Sequence, residues 1–236
     1  MIKTAVILAA GRGTRLRPYT HDIPKGFMQV GDERLIERSV RLLKENGIET
    51  IIIGTGHLKE HYESFTKAEG LKTFVNPEFS STGSFHTLYC GQDLIKQDFL
   101  LLESDLLYEE RAIKALLTTK YSDIILCSGF TKSNDEVYVE IADGLLKNLS
   151  KKRAELMTAN AELVGIWRIS LGLYQKLLSH HSSAKDARSK DYERAIADTL
   201  TKHPVFAQVV DDLIWCEIDN EEHLERAKNT ILPKLI

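Results

Sequence analysis

Three cysteines, Cys90, Cys127 and Cys216, stand far apart in 236 residues, with no C-x-x-C spacing. The pattern offers no disulfide framework and reads as free thiols of a reducing, cytoplasmic setting. No stretch approaches the roughly 20 apolar residues that a membrane span needs. The apolar run near the N-terminus is short and ends in a glycine–arginine loop, a poor signal peptide. Positive charge is not in excess either: 31 Lys and Arg against 34 Asp and Glu leave a net −3. A phosphate-backbone binder carries a concentrated basic excess, so no nucleic-acid partner is expected. Internal repeats, low-complexity tracts and linkers are missing as well. Residues 1–236 therefore read as a single domain, of a length that one large core can serve.

What is present is an alternation of buried strands and helices. Apolar runs at residues 4–10, 50–54, 72–75, 99–103 and 123–128 have strand length, and helical spacing fills 33–46, 57–69, 84–94 and 108–117. This order predicts an α/β fold, a Rossmann-like, mostly parallel sheet flanked by helices. After Gly129 the pattern changes. Residues 137–142 and 145–149 alternate around Asp143-Gly144, a hairpin signal, and predict an inserted antiparallel hairpin lobe over about 130–160. A strand at 162–169, helices near 171–180 and 189–202, a last strand pair at 205–210 and 213–218, and a helix capped by Asn220 complete the expectation.

The densest chemistry lies in residues 6–30, VILAAGRGTRLRPYTHDIPKGFMQV. A buried strand runs into Gly11-Arg12-Gly13-Thr14-Arg15, and in open α/β sheets ligands bind beyond the carboxyl ends of strands. Two glycines let backbone N–H groups turn toward phosphate oxygens. Arg12 and Arg15 add planar forks and Lys25 a point charge, a balance that suits a triphosphate. The dinucleotide fingerprint fails because Leu16 stands where its third glycine belongs, and no P-loop motif occurs. The H-x-x-E-H string at 57–61 reads as a solvated helix face rather than a zinc site, and no nucleophile elbow is found.

The string L-A-A-G-x-G-x-R-L-x-P-x-T followed by P-K, carried by residues 8–20 and Pro24-Lys25, resembles the signature of the nucleotidyltransferases that activate sugar phosphates and small alcohol phosphates. The short chain is similar to the cytidylyltransferase branch, whose members act on phosphocholine and 2-aminoethylphosphonate. The resemblance implies a nucleotide-diphospho-sugar transferase fold and CTP held by Leu8, Ala9, Ala10, Gly11, Arg12, Gly13, Thr14, Arg15 and Lys25. Arg15 and Lys25 would be catalytic. It implies base contacts from Ser81, Thr82, Gly83 and Ser84, and a further nucleotide contact from Ser104. Acids close two strands, in Glu103-Ser104-Asp105 and Glu217-Ile218-Asp219, and Mg²⁺ binds with few protein ligands beside substrate phosphates. The resemblance selects Asp105 and Asp219 as the Mg²⁺ pair.

A phosphate or phosphonate acceptor is already an anion at neutral pH, so its attack on the α-phosphorus of CTP needs no general base. Where the resemblance expects a phosphocholine enzyme to place a tryptophan after an acid, this chain reads Asp135-Glu136-Val137. Without that ring a trimethylammonium loses its aromatic cage. A primary ammonium held by Glu136, Asp191 and Glu193 fits instead, with Tyr192 and Trp215 as the remaining aromatics. The expected acceptor is thus 2-aminoethylphosphonate, feeding phosphonate decoration of lipids or glycans. Phosphocholine stands second and a sugar 1-phosphate third. Phosphonate enzymes of this kind can be fused to a transaminase, so a longer parent chain is a further expectation. A non-catalytic nucleotide sensor would be the rival class; it predicts loss of Lys25 or Asp105, and both are present.

Overall fold

Strand β1 (Thr4–Ala9) is buried along its whole length, as a strand covered on both faces must be. The computed structural model describes residues 2–235. A small ribbon of β2 (Gln29–Val30) and β3 (Glu33–Arg34) leads into helix α1 (Leu35–Glu45). Then follow β4 (Thr50–Thr55), α2 (Lys59–Glu69), β5 (Lys72–Val75), α3 (Ser84–Cys90) and β6 (Phe99–Glu103). The second half runs β7 (Leu106–Tyr108), α4 (Arg111–Leu117), β8 (Ile124–Ser128), β9 (Tyr138–Ala142), β10 (Leu145–Ser150) and β11 (Ala161–Ile169). Helices α5 (Leu171–Ser183) and α6 (Tyr192–Ala197), strands β12 (Phe206–Val210) and β13 (Trp215–Glu217), and helix α7 (Glu221–Arg226) close it.

Nine strands form one sheet in the order β5-β4-β1-β6-β11-β8-β12-β10-β9. Alternation along β1 sends Ala5, Ile7 and Ala9 into one apolar core and Val6 and Leu8 into the other. The architecture is the nucleotide-diphospho-sugar transferase type with helices on the sheet, as expected. The sheet is mixed, however, rather than mostly parallel. β5, β4, β1 and β6 are parallel, but β11 runs antiparallel to both β6 and β8. A strand buried on both faces has the same composition in either direction, so the local pattern does not encode its polarity.

The hairpin turns at Asp143 and Gly144, both with positive φ, the backbone a tight two-residue hairpin requires. It is not a separate lobe. β10 bonds to β12 and β9 to β11, so the hairpin extends the main sheet. The expected final strand pair also divides: β12 lies parallel to β8, whereas β13 pairs with β7. That pairing converts the expected helical start at Tyr108 into strand. The helix expected over 189–202 is α-helical only in α6. The side chain of Asn220 accepts the His223 N–H at 2.9 Å and caps α7 as expected.

Candidate active site

At the carboxyl end of β1 the chain leaves the sheet and turns at Gly13, whose φ of 59° favours glycine. The buried Thr20 hydroxyl donates to the Gly13 carbonyl at 2.6 Å and holds the loop closed. Lys25 returns from the 3₁₀ turn Lys25–Phe27. Its ammonium donates to Asp105 at 2.6 Å and to Asp219. Arg15 reaches Asp219 at 2.6 Å and Asp135 at 2.7 Å, and Lys151 reaches Asp135 at 2.9 Å. Charges of opposite sign thus alternate as Asp105–Lys25–Asp219–Arg15–Asp135–Lys151.

This alternation sets the protonation states. Burial opposes the Lys25 charge, but Asp105 and Asp219 outweigh it and hold the ammonium well above its ordinary range. Burial likewise opposes ionisation of Asp219, and Lys25 and Arg15 nevertheless keep its carboxyl below the usual range. A second group behaves oppositely. Burial, then Asp105 and Glu193, push the Glu103 carboxyl well up, against a 2.6 Å hydrogen bond donated by the Tyr192 hydroxyl. Burial and the nearby Asp105 and Glu103 raise Glu217. Burial and Asp191 push Glu193 up to about 7. Carboxylate oxygens of Glu103, Asp105 and Glu217 lie within 4.8 Å of one another, a set able to hold a cation.

The loop at residues 76–84 is organised from its first residue. Fully buried Asn76 donates to the hydroxyls of Thr82 and Thr87, each at 3.0 Å, and accepts the Glu78 N–H at 2.9 Å. Gly83 presses against residues 188–190: its N–H donates to the Arg188 carbonyl at 2.8 Å, and a Cβ there would sit 2.2 Å from the Lys190 oxygen. The Ser84 hydroxyl accepts the Tyr192 N–H at 3.0 Å and donates to Asp191 at 3.3 Å. The residue expected to contact the base therefore also fastens the segment that carries Asp191 and Glu193.

One cavity of about 520 Å³ gathers most of the anticipated residues. Leu8, Ala9, Ala10, Gly11, Arg12, Gly13, Thr14, Arg15, Lys25, Thr82, Gly83, Ser84, Ser104, Asp105, Asp191 and Glu193 all line it. Asp219 lines a smaller space of about 180 Å³ with Gly13, Thr14, Arg15 and Lys25. Two expected residues fall outside the lining. Ser81 turns back, its hydroxyl on the Glu78 carbonyl at 3.3 Å, and Glu136 gives way to its neighbour Asp135. His57 precedes α2 rather than sharing a helix face with His61, and among the described residues neither belongs to a metal-ligating group.

Sequence reading missed Lys151 and Asp135 as cavity residues, and passed over Glu103 and Glu217 in favour of their neighbours. The signal for the last two was available. Glu103 and Glu217 are the last residues of β6 and β13, two positions before Asp105 and Asp219, so the strand end that offers one acid to the cavity offers both. Lys151 and Asp135 carried no such local signal.

Comparison with known proteins agrees with this geometry. Residues 5–165 match the MobA-like NTP transferase domain. The chain is 24% identical to CTP:phosphoglutamine cytidylyltransferase of Campylobacter jejuni, over 94% of this chain and 97% of that protein. It is 33% identical to choline-phosphate cytidylyltransferase of Streptococcus pneumoniae, over 51% and 52% of the two chains. In fold it is similar to the inositol-1-phosphate CTP transferase of T. maritima, with a TM-score of 0.81 at 18% identity and 98% of each chain covered. These relatives lend no support to the expected transaminase fusion. No helix among the described residues is long and apolar enough to cross a membrane. A match over residues 5–165, more than half of the chain, makes it a member of the MobA-like NTP transferase domain family.

Proposed function

We propose that this chain is a cytidylyltransferase that joins CMP to 2-aminoethylphosphonate and releases pyrophosphate. The observation that carries the reading is one cavity lined both by the cations Arg15, Lys25 and Lys151 and by the acids Asp135, Asp191, Glu193 and Glu217. A zwitterionic acceptor needs both: cations for its phosphonate, and acids for its ammonium, whose three N–H donors match carboxylate oxygens. The cytidylyl part draws on the Campylobacter and Streptococcus relatives, both cytidylyltransferases by name.

In the reaction a phosphonate oxygen attacks the α-phosphorus, the bond to the β-phosphate breaks, and pyrophosphate leaves. Lys25 faces the charge that builds on the α-phosphate. Arg15 and the loop N–H groups hold the departing pyrophosphate, and Lys151 the acceptor phosphonate. The anionic acceptor needs no base, in keeping with a reacting end built from cations and acids. Asp191, Glu193 and Glu217 take the ammonium.

The donor set also fits Mg²⁺, because Asp105 and Asp219 already converge on one positive centre, the Lys25 ammonium. Those two carboxylates would hold the ion, and bound Mg²⁺ would neutralise triphosphate charge. Phosphocholine is the second reading, favoured by the 33% identity to the Streptococcus protein. Against it, Val137 lines the cavity where an aromatic would be needed to cage the methyl groups.

A pyrophosphate-release assay with CTP, Mg²⁺ and each of 2-aminoethylphosphonate, phosphocholine and glucose 1-phosphate tests the proposal. Fastest release with 2-aminoethylphosphonate is expected. Faster release with phosphocholine transfers the acceptor assignment, and no release with any acceptor ends the enzyme reading.

A further inference from the structure

The loop between β8 and β9 crosses the acceptor side of the cavity in a conformation it does not favour. Lys132 and Asn134 both have positive φ, 56° and 67°, where non-glycine residues are disfavoured. Something must hold this strap, and three side chains do. Glu162, buried in β11, accepts the Thr131 N–H at 2.6 Å and its hydroxyl at 2.9 Å. Arg226 donates to the Thr131 carbonyl at 3.0 Å. His223 contacts the carbonyl of Ser133 at 3.2 Å, between the two strained residues.

His223 is 5% exposed and lines the cavity. Its backbone is fixed by the Asn220 cap, and its Nδ1 lies 3.4 Å from the Asp219 N–H. A backbone N–H can only donate and a carbonyl only accept. Nδ1 is therefore the acceptor and Nε2 carries the proton given to Ser133. One ring thus joins the Asp219 end of β13 to the strap that presents Asp135 to Arg15 and Lys151.

We propose that His223 is a positioning residue of this site, an Nε2–H imidazole that ties the Asp219 backbone to the strained strap and thereby places Asp135 between the nucleotide-side Arg15 and the acceptor-side Lys151. It touches neither reacting atom and acts through the strap. The strap's effect on the acceptor rests on the function proposed above, while the tie itself does not.

Two variants divide the ring's two bonds. His223→Asn keeps an acceptor near Nδ1 and lacks the donor to Ser133; His223→Gln keeps the distant donor and lacks the near acceptor. Hydrogen exchange of the ligand-free full chain is the first measurement. The amides of residues 131–136 are expected to exchange about tenfold faster in His223→Asn than in the wild type, with His223→Gln restoring protection and β1 amides unmoved. Strap exchange unchanged in His223→Asn, or equal in the two variants, overturns the proposal. With the acceptor found in the pyrophosphate assay, His223→Asn is expected to raise acceptor KM about tenfold while CTP KM moves less than about twofold. Losses that follow Tm in Asn and Gln variants alike would mark a merely structural histidine. Absence of turnover in the wild type would sink the function proposed above and leave the exchange result to decide the tie.

Discussion

The two halves of the cavity are built in different ways. On the proposed function the triphosphate side is one continuous segment, β1 and its loop through Lys25, in which main chain and nearby cations would do the binding, with the base loop at residues 76–84 added to it. The acceptor half is assembled from side chains far apart in sequence: Glu103, Asp135, Lys151, Glu193 and Glu217. A contiguous cradle suits the triphosphate, whose charge and shape are those of any nucleoside triphosphate. A mosaic suits an acceptor that differs between enzymes, because each piece changes without disturbing the others. The halves meet at Asp135, which pairs with both Arg15 and Lys151, and at Ser84, which fastens Asp191 and Tyr192.

Removing a cation of the cradle is the strongest way to break this division. Lys25→Ala should lower kcat by about 10²–10³-fold, as expected for loss of a preorganised charge at the reacting phosphate. Pyrophosphate release under saturating CTP reads it, and near-normal turnover would take catalysis away from the nucleotide half. Gly83→Ala attacks the seam. With a Cβ driven to 2.2 Å from the Lys190 oxygen, stability should fall by about 2–3 kcal/mol in denaturant titration. An unaffected midpoint would mean that the base loop and residues 188–190 are not rigidly joined.

Glu193→Gln probes the mosaic alone. Acceptor KM should rise about tenfold with CTP KM little changed, the size of one charge-assisted hydrogen bond. The effect carries a pH signature. Burial holds the Glu193 carboxyl up to about 7, so the ionised form that attracts an ammonium accumulates only as pH rises through about 7. Acceptor affinity should climb across that window in the wild type and climb less steeply in the variant. The sign for stability is opposite. The folded chain retains a proton that the unfolded chain releases, so this group's contribution falls as pH rises from the ordinary carboxylate range through about 7. The smallest effect is expected at the start of α7: Asn220→Ala should cost about 1 kcal/mol by removing the cap, and calorimetry measures it.

Strand and loop positions on the first half of the chain were legible because burial and turn chemistry are local. β1, β4, β5, β6 and β8 fall where their apolar runs predict, and the hairpin turns at Asp143-Gly144. Tyr108 misled because a short strand bonded to a distant partner has no period of its own. Glu136 misled for a related reason. It and Asp135 lie in the irregular loop before β9, which has no period to say which of two neighbouring acids faces the cavity.

By itself the amino-acid sequence determined the family and the phosphate end of the site, since both depend on glycines, cations and a buried strand within 25 consecutive residues. Only the tertiary structure decided the direction of β11, the pairing of β13 with β7, and the meeting of Asp135, Lys151 and Glu217 at one cavity. Those outcomes depend on hydrogen bonding and packing between segments well separated along the chain, for which no local pattern of polarity carries a record.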